Sequence, residues 1–170
     1  MASIIGYRGK KPKIGQGVFL AEGARIIGDV EIGDDSSVFY NAVIRGDLDS
    51  IVIGKRCNIQ DNVTIHLSTG VGVKIGNDVT IGHNAVIHAC TIEDNVLIGM
   101  GAIIMDGAHI KSNTIVGAGS LVTQDKEFPE GSLVIGSPAH ISRELTVEEI
   151  RKVQEGNLRY LEVKENLREK

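Results

Sequence analysis

The sequence predicts an all-β solenoid, a parallel β-helix of about six triangular coils, followed by one C-terminal α-helix. The first observation behind this prediction is an aliphatic residue that returns every six positions over most of the stretch from Ile14 to Val122. Apolar residues recur about every 3.6 positions in an amphipathic helix and every 2 positions in an exposed strand. A longer fixed repeat such as six is typical of solenoids. The other two observations are a small residue two positions before most of these aliphatic residues, and 21 glycines with only 4% aromatic residues.

Each hexapeptide is interpreted as one flat side of a coil, with its aliphatic residue pointing inward. The inward residues are Ile14, Leu20, Ile26, Ile32, Val38, Ile44, Ile53, Ile59, Ile65, Ile75, Ile81, Ile87, Ile92, Ile98, Ile104, Ile110, Val116 and Val122. At three per coil they make about six coils. The solenoid is expected within residues 1–140, with repeats from about 14 to 136. Glycines such as Gly33 and Gly54 are expected in turns that need tight or positive-φ backbone.

The C-terminal segment, residues 141–170, is predicted to contain the helix. Thr146 and Glu149 have the spacing of a capping box, and the chain from there to about Glu169 is rich in helix formers. An apolar stripe is formed by Val147, Ile150, Val153, Leu158, Leu161 and Leu167. We expect this helix to pack on the solenoid or on a neighbouring subunit.

Composition narrows the class of partner. The net charge is −4 with no cluster of Lys and Arg, which argues against a nucleic-acid groove. The sequence has no apolar run typical of a signal peptide or a membrane span, so we expect a cytoplasmic protein with no membrane partner. Cys57 and Cys90 both occupy the small-residue corner slot, which predicts packing rather than a redox or metal role.

The three sides of the triangle differ in their outward residues. Side A carries the inward residues Ile44, Ile65, Ile87 and Ile104; side B carries Ile53, Ile75, Ile92 and Ile110; side C carries Val38, Ile59, Ile81, Ile98 and Val116. Outward positions are mostly polar on side B and apolar on sides A and C. Two different apolar sides must both be shielded from water. A closed ring in which side A of one chain contacts side C of the next shields both, so we predict a homotrimer.

Counting along the repeat assigns each histidine to a side. His66 and His88 follow Ile65 and Ile87 on side A, and 22 residues separate them. The step from Ile65 to Ile75 contains a four-residue loop, and 22 − 4 = 18 is one full coil. The two histidines are therefore expected to stack roughly 4.8 Å apart. Two imidazole nitrogens that bind one zinc ion at ~2.1 Å would lie about 3.4 Å apart, which this spacing permits.

A third histidine, His83, follows Ile81 on side C and cannot reach this pair within one chain. It could do so across an interface between sides A and C, which predicts a three-histidine metal site shared by two subunits. Asp61 precedes His83 by one coil plus the same insertion, so these two should also stack. His109 and His140 are interpreted as surface residues.

These residues, in order, resemble the gamma-class carbonic anhydrases. The resemblance rests on Arg45-Gly-Asp47, Asn58-Ile-Gln60-Asp61, His66, Ile81-Gly-His83, His88-Ala-Cys90, Ile98-Gly-Met-Gly-Ala102 and Gly136-Ser-Pro-Ala139. It implies a left-handed β-helix and a homotrimer with metal sites at its interfaces. His66 and His88 would come from one chain and His83 from its neighbour.

The resemblance also assigns roles to nearby polar residues. Gln60 and Asn58 would orient the hydroxide or the substrate, while Arg45 and Asp47 would hold the interface and polarise bicarbonate. Asp61, with Arg45 and Asp47, could equally be only a salt-bridge cluster between chains. One divalent ion per interface is expected, Zn²⁺ first and Fe²⁺ or Co²⁺ as alternatives. Such an ion lowers the pKa of bound water from 15.7 to about 7 in the best case, which allows attack on carbon dioxide.

The sequence departs from this family at two points. Leu48 stands where the best-studied members have a glutamate, and residues 67–72 are short and carry no acid. Because these carboxylates serve proton transfer, we expect weak hydratase activity. Two alternatives stay open: a coenzyme A-dependent acyltransferase of the same fold, and a catalytically weak metal-binding trimer that serves in assembly or hydrolyses a small ester or thioester.

Overall fold

The computed structural model describes residues 1–168 as a parallel β-solenoid of about seven turns with one C-terminal helix. The strands in chain order are β1 (Ser3–Ile5), β2 (Lys13–Ile14), β3 (Phe19–Leu20), β4 (Arg25–Ile32), β5 (Ser37–Val38), β6 (Val43–Ile53), β7 (Asn58–Ile59), β8 (Thr64–His66), β9 (Val73–Ile75), β10 (Thr80–Ile81), β11 (Val86–His88), β12 (Thr91–Ile92), β13 (Leu97–Ile98), β14 (Ile103–Ile104), β15 (His109–Ile110), β16 (Ile115–Val116), β17 (Leu121–Val122), β18 (Glu127–Phe128), β19 (Ser132–Gly136) and β20 (Ala139–Glu144), and the helix is α1 (Val147–Arg168).

The strand register reproduces the three predicted sides. Sides A and B belong to one 12-stranded sheet, because the long strands β4 and β6 continue around the corner between them, and side C is a separate 8-stranded sheet. Ile65 pairs with Ile87 on side A, whereas Ile75 pairs with Ile92 on side B. The inward isoleucines are almost wholly buried and form one continuous core along the stack.

The solenoid has about seven turns rather than the predicted six. Phe128 and Val134 are buried and extend the inward columns of sides B and C beyond Val122. At the other end, β1 pairs in parallel with β4 and adds a strand to side A. The predicted number of coils was too low because only the inward residues from Ile14 to Val122 were included.

Small residues fill the corner positions as predicted. Turn glycines such as Gly33 are required for a reason other than positive φ. Cys57 and Cys90 are 1% and 3% exposed, and burial raises the pKa of each thiol to about 12. Gly33 is not in the left-handed region; a Cβ there would lie 2.7 Å from the carbonyl carbon of Gly54 in the next coil. The left-handed backbone comes two residues later, as at Asp35 with a φ of 60°. These glycines therefore permit close stacking of coils rather than positive φ.

The chain after the solenoid departs from the predicted helix in its first residues. Residues 139–144 form β20, antiparallel to β19, so the segment assigned to the C-terminal helix, 141–170, begins with a strand that was not predicted. Helix α1 begins at Val147, directly after Thr146, the first residue of the predicted capping box. The Thr146 hydroxyl accepts a hydrogen bond from the Glu149 amide at 3.2 Å, and the Thr146 amide donates to the Glu149 carboxylate at 2.9 Å. The predicted end at about Glu169 lies outside the described residues.

Helix α1 packs on side C of its own solenoid. The Tyr160 ring contacts Phe39 edge-on, with centroids 6.0 Å apart, and the side-chain oxygen of the buried Asn157 accepts a hydrogen bond from the Thr80 hydroxyl at 3.3 Å. At ~1.5 Å per residue the 22-residue helix is about as long as seven coils at ~4.8 Å each. One helix therefore runs along the stack.

The buried face of α1 is more polar than the predicted apolar stripe. Lys164 is 2% exposed, and its ammonium group donates to the carbonyl oxygens of Gly17 at 3.0 Å and Asp35 at 2.8 Å. Val147 and Leu158, which belong to the predicted stripe, are 85% and 55% exposed. No helical segment among residues 1–168 combines the length and the apolar character that crossing a bilayer requires.

Candidate metal centre

His66 and His88 lie side by side on side A, as the count of residues predicts. Strands β8 and β11 pair in parallel, with His88 opposite His66. The preceding residues, Ile65 and Ile87, are fully buried in the core and fix the inward face of each strand. Because side chains alternate across a strand, both imidazoles must point outward.

The two rings converge on one point. The Nδ1 atom of His66 lies 3.3 Å from Nε2 of His88, and the ring centroids are 5.3 Å apart at an interplanar angle of 53°. Two nitrogens bound to one tetrahedral zinc ion at ~2.1 Å are about 3.4 Å apart. The observed separation therefore matches that of two ligands of a single ion.

In each ring, the nitrogen that faces away from the other histidine is hydrogen-bonded to a carboxylate. Nε2 of His66 is 2.8 Å from Oδ1 of Asp47, and Nδ1 of His88 is 2.6 Å from Oδ1 of Asp106. In neutral imidazoles these nitrogens carry the proton, so the two facing nitrogens present lone pairs. Lone pairs 3.3 Å apart repel unless a cation or a proton lies between them. The residues therefore fit a divalent metal ion, with carboxylates that orient the ligands as metal sites require.

Asp47 links His66 to Arg45. Its second carboxylate oxygen forms an ion pair with the Arg45 guanidinium. Burial acts to raise the pKa of Asp47, but the hydrogen bond from His66 and the charge of Arg45 outweigh it and lower the pKa below the ordinary value. Asp47 is thus held ionised and can keep its acceptor role toward His66.

Asp106 holds His88 in the same way and was missed by the sequence analysis. A hydrogen bond from the Ser68 hydroxyl is the main reason that the pKa of Asp106 is lowered, against the opposing effect of burial and with a further hydrogen bond from His88. The coil from Ile87 to Ile104 is 17 residues long, so the position in register with His88 is Met105, and Asp106 lies one residue beyond it in the following turn. The hexapeptide register therefore gave no direct signal for this contact, because it does not say which way a turn residue points.

His83 lies on side C, apart from the pair. It follows β10, and its Nδ1 atom is 2.7 Å from Oδ2 of Asp61, the residue predicted to stack with it. Its Nε2 atom is thereby left as the nitrogen for a ligand. Among residues 1–168 of a single chain, His, Cys, Asp and Glu side chains form no group of three that could hold a metal ion. One chain supplies two convergent histidines, and the third faces elsewhere.

Gln60 and Asn58 form a buried polar chain beside His83. They are 5% and 1% exposed. Asn58 donates to the Ser37 hydroxyl at 2.8 Å and accepts from Gln60 Nε2 at 3.0 Å. The Gln60 side-chain oxygen, Oε1, accepts a hydrogen bond from the His83 backbone amide at 3.2 Å. These contacts fix the turn that carries His83.

The two remaining histidines lie away from this centre. His109 is on side B, with Nε2 at 2.8 Å from Glu93 Oε1, and His140 is exposed in β20. In the neighbouring coils, the residues that pair with His109 are Thr91 and Glu127. A carboxylate partner is therefore not what distinguishes the candidate site; the convergence of two rings is.

Fold and repeat define the class as hexapeptide-repeat β-solenoids. The family model described as "Hexapeptide repeat of succinyl-transferase" matches residues 50–89, and that described as "Bacterial transferase hexapeptide (six repeats)" matches residues 89–124. A Methanocaldococcus jannaschii protein named "Probable carbonic anhydrase" is 56% identical over 91% of this chain and 97% of its own length. The chain therefore belongs to the gamma carbonic anhydrase-like family of hexapeptide-repeat proteins.

Further relatives carry two kinds of name. A Geobacillus kaustophilus carbonic anhydrase is 43% identical, covering 92% of this chain and 86% of the relative. Gamma carbonic anhydrase 2 of Arabidopsis thaliana mitochondria is also 43% identical, but this chain spans only 57% of it. The crystal structure of a Bacillus cereus protein proposed to be an acetyltransferase superposes with a TM-score of 0.96 at 43% identity, over 98% of this chain and 96% of that one. The names of the relatives support an enzyme of the carbonic anhydrase type.

Proposed function

We propose that this protein is a metal-dependent, gamma-class carbonic anhydrase-like enzyme that hydrates carbon dioxide to bicarbonate. The observation that carries this proposal is the 3.3 Å separation of the facing nitrogens of His66 and His88, each ring being fixed by a carboxylate. The carbonic anhydrase names of relatives that are 43–56% identical support the choice of substrate.

The proposed site is shared between subunits of a homotrimer. His66 and His88 of one chain would hold the ion together with His83 of a neighbouring subunit, whose Nε2 is left for a ligand by the Asp61 contact. Three imidazoles suit Zn²⁺ best, with Fe²⁺ and Co²⁺ as alternatives. Such an ion, when bound, supplies a nucleophile at neutral pH by lowering the pKa of coordinated water.

Side A would orient the ligands and the product. Asp47 keeps the proton of His66 on Nε2, so that Nδ1 faces the ion. The Arg45 guanidinium neutralises Asp47 and is 43% exposed in one chain, which leaves further N–H groups for a bicarbonate oxygen. The same pair would contribute to the interface.

Side C would contribute His83 and the polar groups that support it. Gln60 positions the His83 backbone, and Asn58 holds the Gln60 amide. One N–H of Gln60 is used by Asn58, so the other is the donor that we assign to the substrate oxygen. Asp61 would orient His83 as Asp47 orients His66.

The proposed activity is expected to be slow because a proton relay is lacking. Leu48, which replaces the acidic residue, is 50% exposed next to Asp47. The loop at 67–72 contains no acid, and its serine is already bonded to Asp106. Proton transfer to buffer should therefore limit turnover.

The test is metal content and hydration activity of the purified full chain, without a chelating tag. Wild type should contain close to one zinc or iron per chain and show hydration that rises with buffer concentration. His83→Ala should lose both metal and activity, whereas the matched surface variant His109→Ala should keep both. Metal far below one per chain after reconstitution of wild type would contradict the proposal.

A second candidate is a coenzyme A-dependent acyltransferase. The observation that favours it is the close structural match to the Bacillus cereus protein proposed to be an acetyltransferase. Saturable binding of acetyl-coenzyme A to metal-free protein, unchanged in His83→Ala, would favour this candidate. Full metal occupancy with neither hydration nor acyl transfer would instead favour the metal-binding trimer that serves in assembly or in ester or thioester hydrolysis.

A further inference from the structure

The loop that follows His66 is tied to the metal centre by one side chain. Residues 67–72, here named loop 67–72, form a small hairpin in which Ser68 and Val71 exchange backbone hydrogen bonds of 3.3 and 3.1 Å. Leu67 is 1% exposed and anchors the start of the loop, while the tip at Gly70 adopts a φ of 75°. The loop is therefore a defined structure rather than an open insertion.

Ser68 connects this loop to Asp106, which lies 38 residues later, in the turn after β14 and two coils beyond β8. The Ser68 hydroxyl donates to Oδ2 of Asp106, and the other oxygen of the same carboxylate accepts from Nδ1 of His88. Asp106 is thus held from both sides. Its orientation, and through it that of the His88 ring, depends on a residue of the loop.

We propose that Ser68 and Asp106 are positioning residues for His88, and that loop 67–72 thereby sets how tightly the centre retains its metal ion. This rests on the proposed metal site. The carboxylate places the proton of His88 on Nδ1 and the lone pair on Nε2, which faces His66 at 3.3 Å. The serine prevents the carboxylate from rotating away from this role.

Side B contains a second serine–carboxylate–histidine arrangement, with a glutamate in place of the aspartate. The Ser112 hydroxyl donates to Oε2 of Glu93 at 3.0 Å, and Oε1 of Glu93 lies 2.8 Å from Nε2 of His109. No second histidine is paired with His109 in the neighbouring coils. The Ser112–Glu93–His109 group therefore offers a matched control, with similar contacts and exposure but without a facing imidazole.

A purely structural role for Ser68 makes a different prediction. If the hydroxyl only held the loop in place, its loss would lower the melting temperature of metal-free protein and leave the affinity and the spectrum of bound metal unchanged. If it positions His88, the metal dissociates faster and the ligand field changes, because the ring is less well fixed. Metal binding, rather than stability, separates the two roles.

The experiment compares full-length wild type with Ser68→Ala, Asp106→Asn, Ser68→Thr and the control Ser112→Ala. Each is loaded with Co²⁺, its visible absorption spectrum is recorded, and loss of Zn²⁺ to an excess of chelator is timed. Loss of a residue that orients a ligand typically costs 10–100-fold in metal affinity. We expect roughly 100-fold for Asp106→Asn and about tenfold for Ser68→Ala, each with an altered cobalt spectrum. Ser68→Thr keeps the hydroxyl and should be close to wild type.

The outcomes are separable. Ser68→Ala and Asp106→Asn that release zinc no faster than Ser112→Ala, with the wild-type cobalt spectrum, would overturn the positioning role and leave the metal site intact. Wild type that binds neither Co²⁺ nor Zn²⁺ would overturn the proposed function as well. Thermal unfolding of the metal-free variants reports whether each one folds, and a folded Asp106→Glu variant replaces Asp106→Asn if the latter does not.

Discussion

Sides A and B of the same sheet carry nearly the same local chemistry but differ in what their histidines can do. On side A, His88 is bonded to a carboxylate that also accepts from a serine, and His66 faces it at 3.3 Å. On side B, His109 has a carboxylate and a serine but no facing ring. The difference shows that the register of the coils, rather than the histidine and its immediate partners, makes a candidate metal site.

The largest expected effect is on metal content. Replacement of His88 by Ala should remove a ligand and leave His66 alone on side A, so zinc should fall close to zero per chain. His109→Ala should retain the wild-type amount, because His109 has no second ring nearby. Elemental analysis of both proteins checks this; equal losses in the two variants would show that the convergence of rings is irrelevant.

Core substitutions beneath the two sides come next. Ile87→Ala on side A and Ile110→Ala on side B both remove a fully buried side chain, and each should cost about 2–5 kcal/mol in the free energy of unfolding. Only Ile87→Ala should also speed zinc release, because Ile87 immediately precedes His88. Denaturant unfolding and chelator kinetics measure the two effects. Faster release in Ile110→Ala to the same extent would indicate general loosening instead.

Removal of one carboxylate charge should have a smaller effect. Asp47→Asn weakens the acceptor of His66, so zinc affinity should fall by about tenfold or more. Glu93→Gln makes the equivalent change beneath His109 and should leave zinc affinity unaltered. Competition with a coloured chelator gives both affinities, and a wild-type affinity in Asp47→Asn would remove Asp47 from the site.

The smallest effect concerns the titration of Glu93 on side B. Its pKa is lowered mainly by a hydrogen bond from the Ser112 backbone amide, against the opposing effect of burial, with help from His109 and the Ser112 hydroxyl. A lowered carboxylate pKa contributes stability above the unfolded value of about 4.5, and the contribution is lost as pH falls through the folded pKa. Ser112→Ala should raise the Glu93 pKa only part of the way, because the backbone donor remains. A carboxylate NMR titration that showed no rise would contradict this.

Much of the fold could be predicted because the solenoid repeats. The six-residue period assigned Ile65, Ile87 and their neighbours to sides, and one subtraction of the four-residue loop placed His88 over His66. The period carries no information on non-repetitive parts. It therefore missed β1, the hairpin of β19 and β20, and the polar face through which Lys164 anchors the helix.

The candidate site could be predicted only in part. The repeat shows which outward residues stack in neighbouring coils, so the contact between Asp61 and His83 was predicted correctly. Asp106 and Ser68 were not, since one lies at a corner and the other in the insertion, where the hexapeptide register does not say which way a side chain points. Gly33 and Gly54 were expected in turns that need tight or positive-φ backbone, but neither has positive φ; close contacts with the next coil require glycine there, and those contacts depend on three-dimensional stacking.

The central claim is that His66 and His88 of one chain share a metal ion with His83 of another. Complementation between variants tests this most directly: His83→Ala and His88→Ala chains are unfolded, mixed in equal amounts, refolded and reconstituted with zinc. Each variant alone should bind almost no zinc, whereas random mixing in a closed trimer should restore about a quarter of the wild-type content. A mixture that binds no more zinc than its two parents would contradict the shared site.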